Sequence, residues 1–173
     1  EAAAAGGTFL GVSDMAPGNI AGKLALVATC MSDGDAWLEA QVIDPQCPEA
    51  TKALTLLQEF GSLTEAPLEA LRIYGGREVA ACLGSFLAAS SRNLSVVIDG
   101  WAAIAAMAIL EKIRPGAARH IRLAGCENKL QQQAAEELGM TPLIGTLIDS
   151  GPGSGSALSL SILKAAIDVV AVA

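Results

Sequence analysis

A short apolar run near the middle of the chain constrains the fold more than any other stretch. Ser95-Val96-Val97-Ile98 is followed at once by Asp99-Gly100, and then by a mainly apolar stretch from Trp101 to Lys112. Apolar residues without polar alternation are typical of a strand buried on both faces, as in parallel sheets. The sequence therefore predicts a buried parallel strand, a loop at its carboxyl end, and then a buried helix.

Strand and helix patterns alternate along the rest of the chain. Strands are predicted over Thr8–Val12, Ser95–Ile98, His120–Ala124 and Leu143–Ile148. Helices are predicted over Ile20–Met31, Glu49–Phe60, Arg77–Ser90, Trp101–Lys112, Glu127–Leu138 and Ala157–Val172, with a short helical turn from Pro67. Alternation of this kind predicts an α/β, three-layer, Rossmann-like domain with a mainly parallel sheet and helices on both faces.

Residues 8–173 are expected to form one domain, and residues 1–7, which are rich in Ala and Gly, either a flexible N-terminus or a cloning remnant. The stretch from Ser32 to Glu49 has no clear periodicity. Asp33-Gly34-Asp35 predicts a turn there, and Asp44-Pro45 a loop.

Composition narrows the function classes. The net charge is −7 without any basic cluster, which argues against nucleic acids and anionic membranes as partners. The longest apolar run, Trp101–Leu110, is too short to span a bilayer and predicts a buried helix instead. No stretch has the pattern of a signal peptide, so we expect a cytoplasmic protein.

The cysteines do not suggest a metal site. Cys30, Cys47, Cys82 and Cys126 are far apart, none forms a Cys-x-x-Cys pair, and His120 is the single histidine. A zinc site is therefore not expected, and neither is a cofactor. The four thiols are predicted to be buried in the core.

Three loops rich in small residues are predicted at the carboxyl edge of the sheet. They are Asp14–Asn19, Asp99-Gly100 and Gly151–Gly155, and each has a carboxylate in it or beside it. Ligands of parallel α/β sheets bind at this edge. The glycine-rich turn before the last helix either points free backbone N–H groups at an anion or only provides the positive φ angles of a loop.

Several stretches resemble the nicotinate-nucleotide–dimethylbenzimidazole phosphoribosyltransferase family. The most specific are Gly75-Gly76-Arg77-Glu78-Val79-Ala80-Ala81 and Val96-Val97-Ile98-Asp99-Gly100-Trp101. Asp14-Met15-Ala16-Pro17-Gly18-Asn19 is similar to the family's acidic-Met-Gly-Ile-Gly-Asn loop. The resemblance continues through Pro142-Leu143 and the turn at Gly151. It covers nearly all of this chain but only the C-terminal half of the family enzyme.

The resemblance implies a reaction. The family transfers phosphoribose from nicotinate mononucleotide to a benzimidazole, for the lower ligand of cobalamin. In the family a glutamate of the glycine-rich turn is the general base, and Pro152 stands at that position here. Proline carries no titratable group, and the loss of one general base typically costs about 10²–10⁴-fold in rate.

The resemblance and the loop pattern together give the candidate site residues. Asp14 is either a possible substitute base or an N-cap of the following helix. Asn19 is the other candidate for that N-cap. The predicted substrate-binding residues are Gly18, Asn19, Lys52, Asp99, Gly100, Gly151, Gly153, Ser154 and Gly155. Lys52 either holds a phosphate or is solvated, and Asp99 either contacts substrate or orders its own loop. Glu127 is taken as a carboxylate at the start of a helix.

Two functions remain open at this point. The first is a phosphoribosyltransferase, or half of such an enzyme. The second is a catalytically degenerate protein of the same fold that binds a nucleotide or serves in assembly. The replacement by Pro152 favours the second, and the three small-residue loops favour ligand binding under both. Since the family is dimeric, the resemblance implies a homodimer or pairing with a separate chain equivalent to the N-terminal half.

Overall fold

Three parallel strands form the sheet in the part of the chain that the structure describes. A computed structural model describes residues 6–14, 18–43, 47–148 and 150–172. The strands are Phe9–Ser13 (β1), Ser95–Asp99 (β2) and Ile121–Leu123 (β3), in the order β1-β2-β3. Val96 of the central strand pairs with Leu10 on one side and with Ile121 on the other. The residues following the three strands therefore meet at one edge, as predicted.

Helices make up most of the remaining described residues. They are Ile20–Cys30 (α1), Gly34–Val42 (α2), Pro48–Phe60 (α3), Pro67–Tyr74 (α4), Arg77–Ser90 (α5), Trp101–Ile113 (α6), Lys129–Glu137 (α7) and Ser154–Val172 (α8). Apart from α2, each corresponds to a predicted helix and differs from it by a few residues at its ends. The predicted loop at Asp44-Pro45 and the carboxylate of Asp149 lie outside the described residues, as do residues 1–5 and 15–17.

The sheet carries helices on both faces. Val96 and Ile98 belong to the main hydrophobic core, on the face that α5 and α6 cover. Gly11 and Val97 point the opposite way, because successive side chains of a strand alternate between faces. A β-carbon on Gly11 would lie 3.4 Å from Cβ of Ser156 in α8. The α/β three-layer arrangement with a parallel sheet is thus confirmed.

The core is built from aliphatic side chains and alanines. Every residue of α6 from Trp101 to Leu110 is buried, and α6 packs between α1 and α5. The run that is too short to span a bilayer is therefore the central helix of the core, as expected. Alanine at many of these positions lets the helix backbones approach closely, which compensates for the small number of aromatic residues.

The helix α2 was missed. The sequence indicates only a turn at Asp33-Gly34-Asp35, but Gly34 begins a helix that extends to Val42. A β-carbon on Gly34 would overlap the carbonyl of Ala28, so the tight turn after α1 requires glycine. Leu38 is the one large buried side chain of α2, and one contact in nine residues leaves no detectable periodicity.

The strand predicted over Leu143–Ile148 was wrong. This segment forms only an isolated parallel bridge between Cys126 and Leu147. Its N–H groups at Leu143, Ile144 and Ile148 donate to the carbonyls of Leu123, Ala124 and Cys126. Leu143 is 37% exposed and Leu147 is 45% exposed. An apolar segment at the open edge of the sheet has too few neighbours to hold it in the extended ladder of a strand.

Gly22 tests the close packing of α1 against the end of α4. A β-carbon there would overlap the carbonyl oxygen of Tyr74 and the side chain of Asn19. We expect Gly22→Ala to lower the free energy of unfolding by about 1–3 kcal/mol, measured by urea denaturation. Gly84 in α5 has open space, so the matched Gly84→Ala should raise it by about 0.5–1 kcal/mol. Unchanged stability of Gly22→Ala would contradict the packing.

Candidate functional site

The ends of the three strands converge around Gly100. The position that a β-carbon would take on Gly100 lies 3.8 Å from Cβ of Asp14 and 3.9 Å from Oε1 of Glu127. The corresponding position on Gly153 lies 3.9 Å from Cβ of Ser13. The loops after β1, after β2 and before α8 therefore meet, together with Glu127, which follows β3. We call this place the strand-end site.

Asp99 ties the glycine-rich turn to the central strand. Its Oδ2 accepts hydrogen bonds from the backbone N–H groups of Gly155, at 3.0 Å, and Ser156, at 3.3 Å. A β-carbon on Gly155 would lie 3.0 Å from the same oxygen, so glycine allows the close approach. The anion at the N-terminus of α8 is therefore a side chain of the protein itself.

The other N–H groups in the first turn of α8 also have partners. The N–H of Ser154 donates to the carbonyl of Gly151, and that of Ala157 donates to Gly153. The hypothesis of free N–H groups aimed at an anion is therefore wrong for residues 154–157. Gly151 and Gly153 have φ angles of 94° and 82°, which fits the second interpretation of the turn, a loop that needs positive φ.

Lys23 is a site residue that the sequence analysis missed. Its ammonium group forms a short ion pair with Asp14 Oδ2, and lies 3.4 Å from Glu78 Oε1 and 3.5 Å from the carbonyl oxygen of Gly18. Lys23 is 1% exposed although it lies in the apolar helix α1. A lysine in a buried helix must be paired because an isolated buried charge is very costly, and this signal could have identified it.

Glu78 explains part of the motif that carries the family resemblance. Its carboxylate folds back over Gly76, where a β-carbon would overlap it. This position brings Glu78 into its ion pair with Lys23, so the glycine and the glutamate of the motif act together. Lys23 is thereby held between carboxylates from the loop after β1 and from the first turn of α5.

The front loop holds two further predicted residues. Gly18, with a φ of 88°, is exposed and accepts the long hydrogen bond from Lys23. Asn19 occupies the N-cap position of α1 in the left-handed conformation, but its side chain makes no capping hydrogen bond. Its amide instead donates to the carbonyl of Tyr74 at 3.3 Å, so the capping role proposed for Asn19 was wrong.

Lys52 is not brought to the strand-end site. It lies exposed on α3, whose main packing partners are α1 and α2 rather than the strands. This placement fits the interpretation of Lys52 as a solvated lysine. The cation that the structure places at the edge of the sheet is Lys23.

Glu127 precedes helix α7 instead of belonging to it. Asn128 is the N-cap, and its Oδ1 accepts the N–H of Gln131 at 2.9 Å. Gln131 is fully buried, and its Oε1 accepts the backbone N–H of Glu127 at 2.6 Å. These two bonds fix the backbone of Glu127 beside Gly100. A carboxylate three residues after an apolar strand is the signal that could have indicated its role.

A cavity of about 270 Å³ adjoins the ion cluster and is lined by Val12, Ser13, Asp14, Glu78, Ala81, Cys82 and Ser85. Three larger cavities lie elsewhere among the described residues. Those of about 570 and 620 Å³ both include Arg119, which lies just before β3 at the opposite end of that strand, and one of about 310 Å³ lies by Cys30 at the end of α1. The larger volume does not coincide with the carboxylates. The smaller cavity is the candidate site, because the ionised side chains of Asp14 and Glu78 line it.

The thiols do not provide a nucleophile at this edge. Burial raises the pKa of Cys30, Cys82 and Cys126 to about 11, and for Cys82 the negative charge of Asp14 adds to that effect. Cys47, Cys82 and Cys126 are buried and Cys30 is partly buried, so the expected core location is confirmed. A thiol with such a pKa carries little thiolate near neutral pH.

Comparison with known proteins identifies the family. A family model described as "Phosphoribosyltransferase" matches residues 1–172. The chain belongs to this phosphoribosyltransferase family. Nicotinate-nucleotide–dimethylbenzimidazole phosphoribosyltransferase of Sinorhizobium medicae is 34% identical over 174 residues, which cover 96% of this chain. The enzyme of the same name from Methylorubrum extorquens is 38% identical over 111 residues, 64% of this chain and 32% of its own length.

A solved structure shows the same fold. The crystal structure of a nicotinate-nucleotide–dimethylbenzimidazole phosphoribosyltransferase from Thermus thermophilus matches with a TM-score of 0.75 and 27% identity. The match covers 95% of this chain and 50% of that one. The chain therefore spans about half the length of the phosphoribosyltransferases that it matches.

Pro152 stands at the position where the family resemblance implies a catalytic glutamate. The turn around it is still formed. Pro152 is exposed at the start of the turn that leads into α8. The contacts of Asp99 with Gly155 and Ser156 hold this turn in place without any group at position 152. The turn therefore keeps its geometry with a proline at position 152.

Lys23 should contribute strongly to stability. In Lys23→Met the two carboxylates that it pairs with lose their cation in a site that is mostly buried. We expect the free energy of unfolding to fall by about 3–5 kcal/mol, measured by denaturant titration.

Lys164→Met is the matched control for Lys23→Met. Lys164 is 79% exposed and lies 3.8 Å from Asp168, so its loss should change stability by less than about 0.5 kcal/mol. Equal effects of the two variants would contradict the description of the buried cluster.

Proposed function

We propose that this chain carries the strand-end half of a nicotinate-nucleotide–dimethylbenzimidazole phosphoribosyltransferase site and transfers phosphoribose from nicotinate mononucleotide to a benzimidazole. The observation that carries the proposal is the convergence of Asp14 and Glu127 on Gly100. Gly100 has a φ of 85° and no side chain, so a flat aromatic ring can lie directly on its backbone.

The electrostatics of the strand-end site suit this reaction. Asp14, Glu78, Asp99 and Glu127 come together there, and Lys23 is the cation paired with two of them. In nicotinate mononucleotide the pyridinium ring is positively charged, and positive charge spreads onto the ribose and then onto the azole as the glycosidic bond is exchanged. Fixed negative charge in a dry site stabilises such a transition state.

The proposed chemistry is a substitution at C1′ of the ribose. One ring nitrogen of the benzimidazole attacks C1′ with its lone pair, and the bond from C1′ to the pyridinium nitrogen breaks. Nicotinate leaves with that electron pair as a neutral pyridine ring. The alkylated azole then carries a positive charge until its other nitrogen gives up a proton to a base.

The second candidate is a degenerate nucleotide-binding or assembly protein. Pro152 favours it, and so do the hydrogen bonds of Asp99, which use two N–H groups at the start of α8 that a phosphate could otherwise occupy. This candidate keeps ligand binding at the strand-end site but lacks transfer. The two candidates therefore differ in turnover and not in the place of binding.

One experiment separates them. The folded chain is titrated calorimetrically with nicotinate mononucleotide, then incubated with both substrates, and the product α-ribazole phosphate is detected by mass spectrometry. We expect binding and transfer, both lost in Asp14→Ala and Ser154→Trp. Ser91→Trp, the same substitution at an exposed position at the end of α5, away from the strand ends, should behave as the wild type.

Each variant is first shown to be folded by circular dichroism. Binding of the nucleotide without product would favour the degenerate protein. No binding and no product from the folded wild-type chain, alone or mixed with the partner described next, would refute the transferase and the nucleotide-binding protein and would leave an assembly protein of the same fold.

We further propose that the outer surface of α8 is covered by a chain or segment equivalent to the N-terminal half of the relatives. Leu158, Ile162, Ile167, Val169 and Val170 are between 47% and 75% exposed on this helix. The buried residues Gly155, Ser156 and Ser159 lie in the first two turns of α8, so small and polar residues face the sheet there. Leu158, Ile162 and Val169 share a different face of the helix, and this face is exposed. We call this apolar outer side the α8 surface.

Two observations support this partner: the share of the relatives' length that the chain spans, and the apolar composition of α8. The chain spans 51% of the Sinorhizobium medicae relative, so half of that enzyme has no counterpart here. By length and composition alone, Ser154–Ala171 would also pass for a membrane span, with 17% of it buried. A cytoplasmic location with a protein partner fits better, because the proposed substrates are charged metabolites and the matching residues of the relatives belong to longer enzymes.

Mixing tests the partner. The N-terminal half of the Sinorhizobium medicae relative is added to this chain, and the complex is measured by analytical ultracentrifugation. We expect a one-to-one complex that Ile162→Lys with Val169→Lys abolishes. Leu87→Lys, at an exposed leucine of α5, should leave it intact. A dimer of this chain alone that the double variant disrupts would instead identify a second copy as the occupant.

A further inference from the structure

We propose that Glu127 is the general base of the transfer, in place of the carboxylate that Pro152 cannot provide. The inference rests on the proposed function, because it names the group that accepts the azole proton. It differs from the expectation drawn from the sequence, in which Asp14 was the substitute base.

Glu127 reaches the place where the azole would lie. Its Oε1 is 3.9 Å from the point above Gly100 that a side chain would otherwise fill. An aromatic ring stacked on the Gly100 backbone would occupy that same space. Its edge would then lie within hydrogen-bonding range of the Glu127 carboxylate, which is the first requirement for a general base.

The fold holds Glu127 in this position. Gln131 accepts the backbone N–H of Glu127, and Asn128 accepts the N–H of Gln131, so the residue is anchored to the first turn of α7. Gln131 is fully buried, so the core encloses its side chain. A base held on a rigid element needs little reorganisation when the substrate arrives, and Gln131 and Asn128 act as positioning residues.

The other carboxylates of the strand-end site have different tasks. Asp14 is bound by the ammonium group of Lys23, and a proton on the same oxygen would have to displace that cation. Asp99 accepts two N–H groups of α8, and a proton on Oδ2 would break the turn. Glu78 forms an ion pair with Lys23 as well. A proton on any of these three carboxylates would therefore compete with a contact that holds the ion cluster or the α8 turn.

The proton balance of the step is simple. After C1′ has bonded to one azole nitrogen, the N–H bond at the other nitrogen breaks and its electron pair returns to the ring. The proton moves to a carboxylate oxygen of Glu127, which becomes a neutral carboxylic acid. The product leaves as a neutral azole, and Glu127 later loses the proton to water.

Glu127→Gln tests the inference in the full chain, with the partner half added if transfer requires it. The variant keeps the size of the side chain but cannot accept the proton. We expect the transfer rate kcat to fall by about 10²–10⁴-fold while the Kd for nicotinate mononucleotide stays the same.

The pH profile provides a readout that a merely structural role would not change. In the wild type kcat/KM should rise with pH as the base deprotonates and then level off, and in Glu127→Gln this rise should be absent. Glu137→Gln, at an exposed position of α7, is the control and should keep both the rate and the profile.

The outcomes distinguish this inference from the proposed function. A Glu127→Gln enzyme as active as the control would overturn the role of Glu127 while transfer itself stands. If the wild type binds dimethylbenzimidazole without measurable turnover, the affinity of Glu127→Leu decides. A loss of about tenfold supports the contact with the azole N–H, and an unchanged affinity refutes it. No azole binding by the folded wild type would refute the inference and the proposed function together.

Discussion

The contact between Asp99 and the start of α8 is the interaction on which the geometry of the strand-end site depends. It joins the end of the central strand to the first turn of the last helix through two N–H groups. The neighbouring hydroxyl of Ser156 donates to the carbonyl of Val97, which adds a second tie to the same strand. Gly155 permits both, because a larger residue would push the carboxylate away. The carboxylate of Asp99 thus helps to position α8, the helix that covers one face of the sheet.

Features with local causes could be predicted from the sequence. The central strand, the buried helix after it and the meeting of the strand-end loops follow from the apolar run and from the parallel topology. Features decided by long-range packing could not. The helix α2 depends on the close fit of Gly34 under Ala28, and the segment after α7 is not a strand because it lacks neighbours at the edge of the sheet.

The site was predicted in outline and missed in its chemistry. Loop composition located Asp14 and Gly100 correctly at one edge, but the partners of the carboxylates come from distant positions. Lys23 lies in a helix that is otherwise apolar, and Glu127 precedes a helix that looks ordinary in sequence. Pairing across elements therefore decides that Asp14 is held by a cation and that Asp99 binds the start of a helix.

The inverted polarity of α8 links assembly to the site. The helix turns Ser156 and Ser159 to the sheet and much of its apolar surface to the outside, so within this chain it gains little from the hydrophobic effect. A molecule that binds only the folded state stabilises it by an amount that grows with the logarithm of its concentration above the Kd. Any such binder on the α8 surface therefore tightens the helix whose first turn holds Asp99. Binding at the α8 surface and order in the first turn of α8 are therefore thermodynamically coupled. A ligand bound at the strand-end site would in turn strengthen the binding of a partner to the α8 surface.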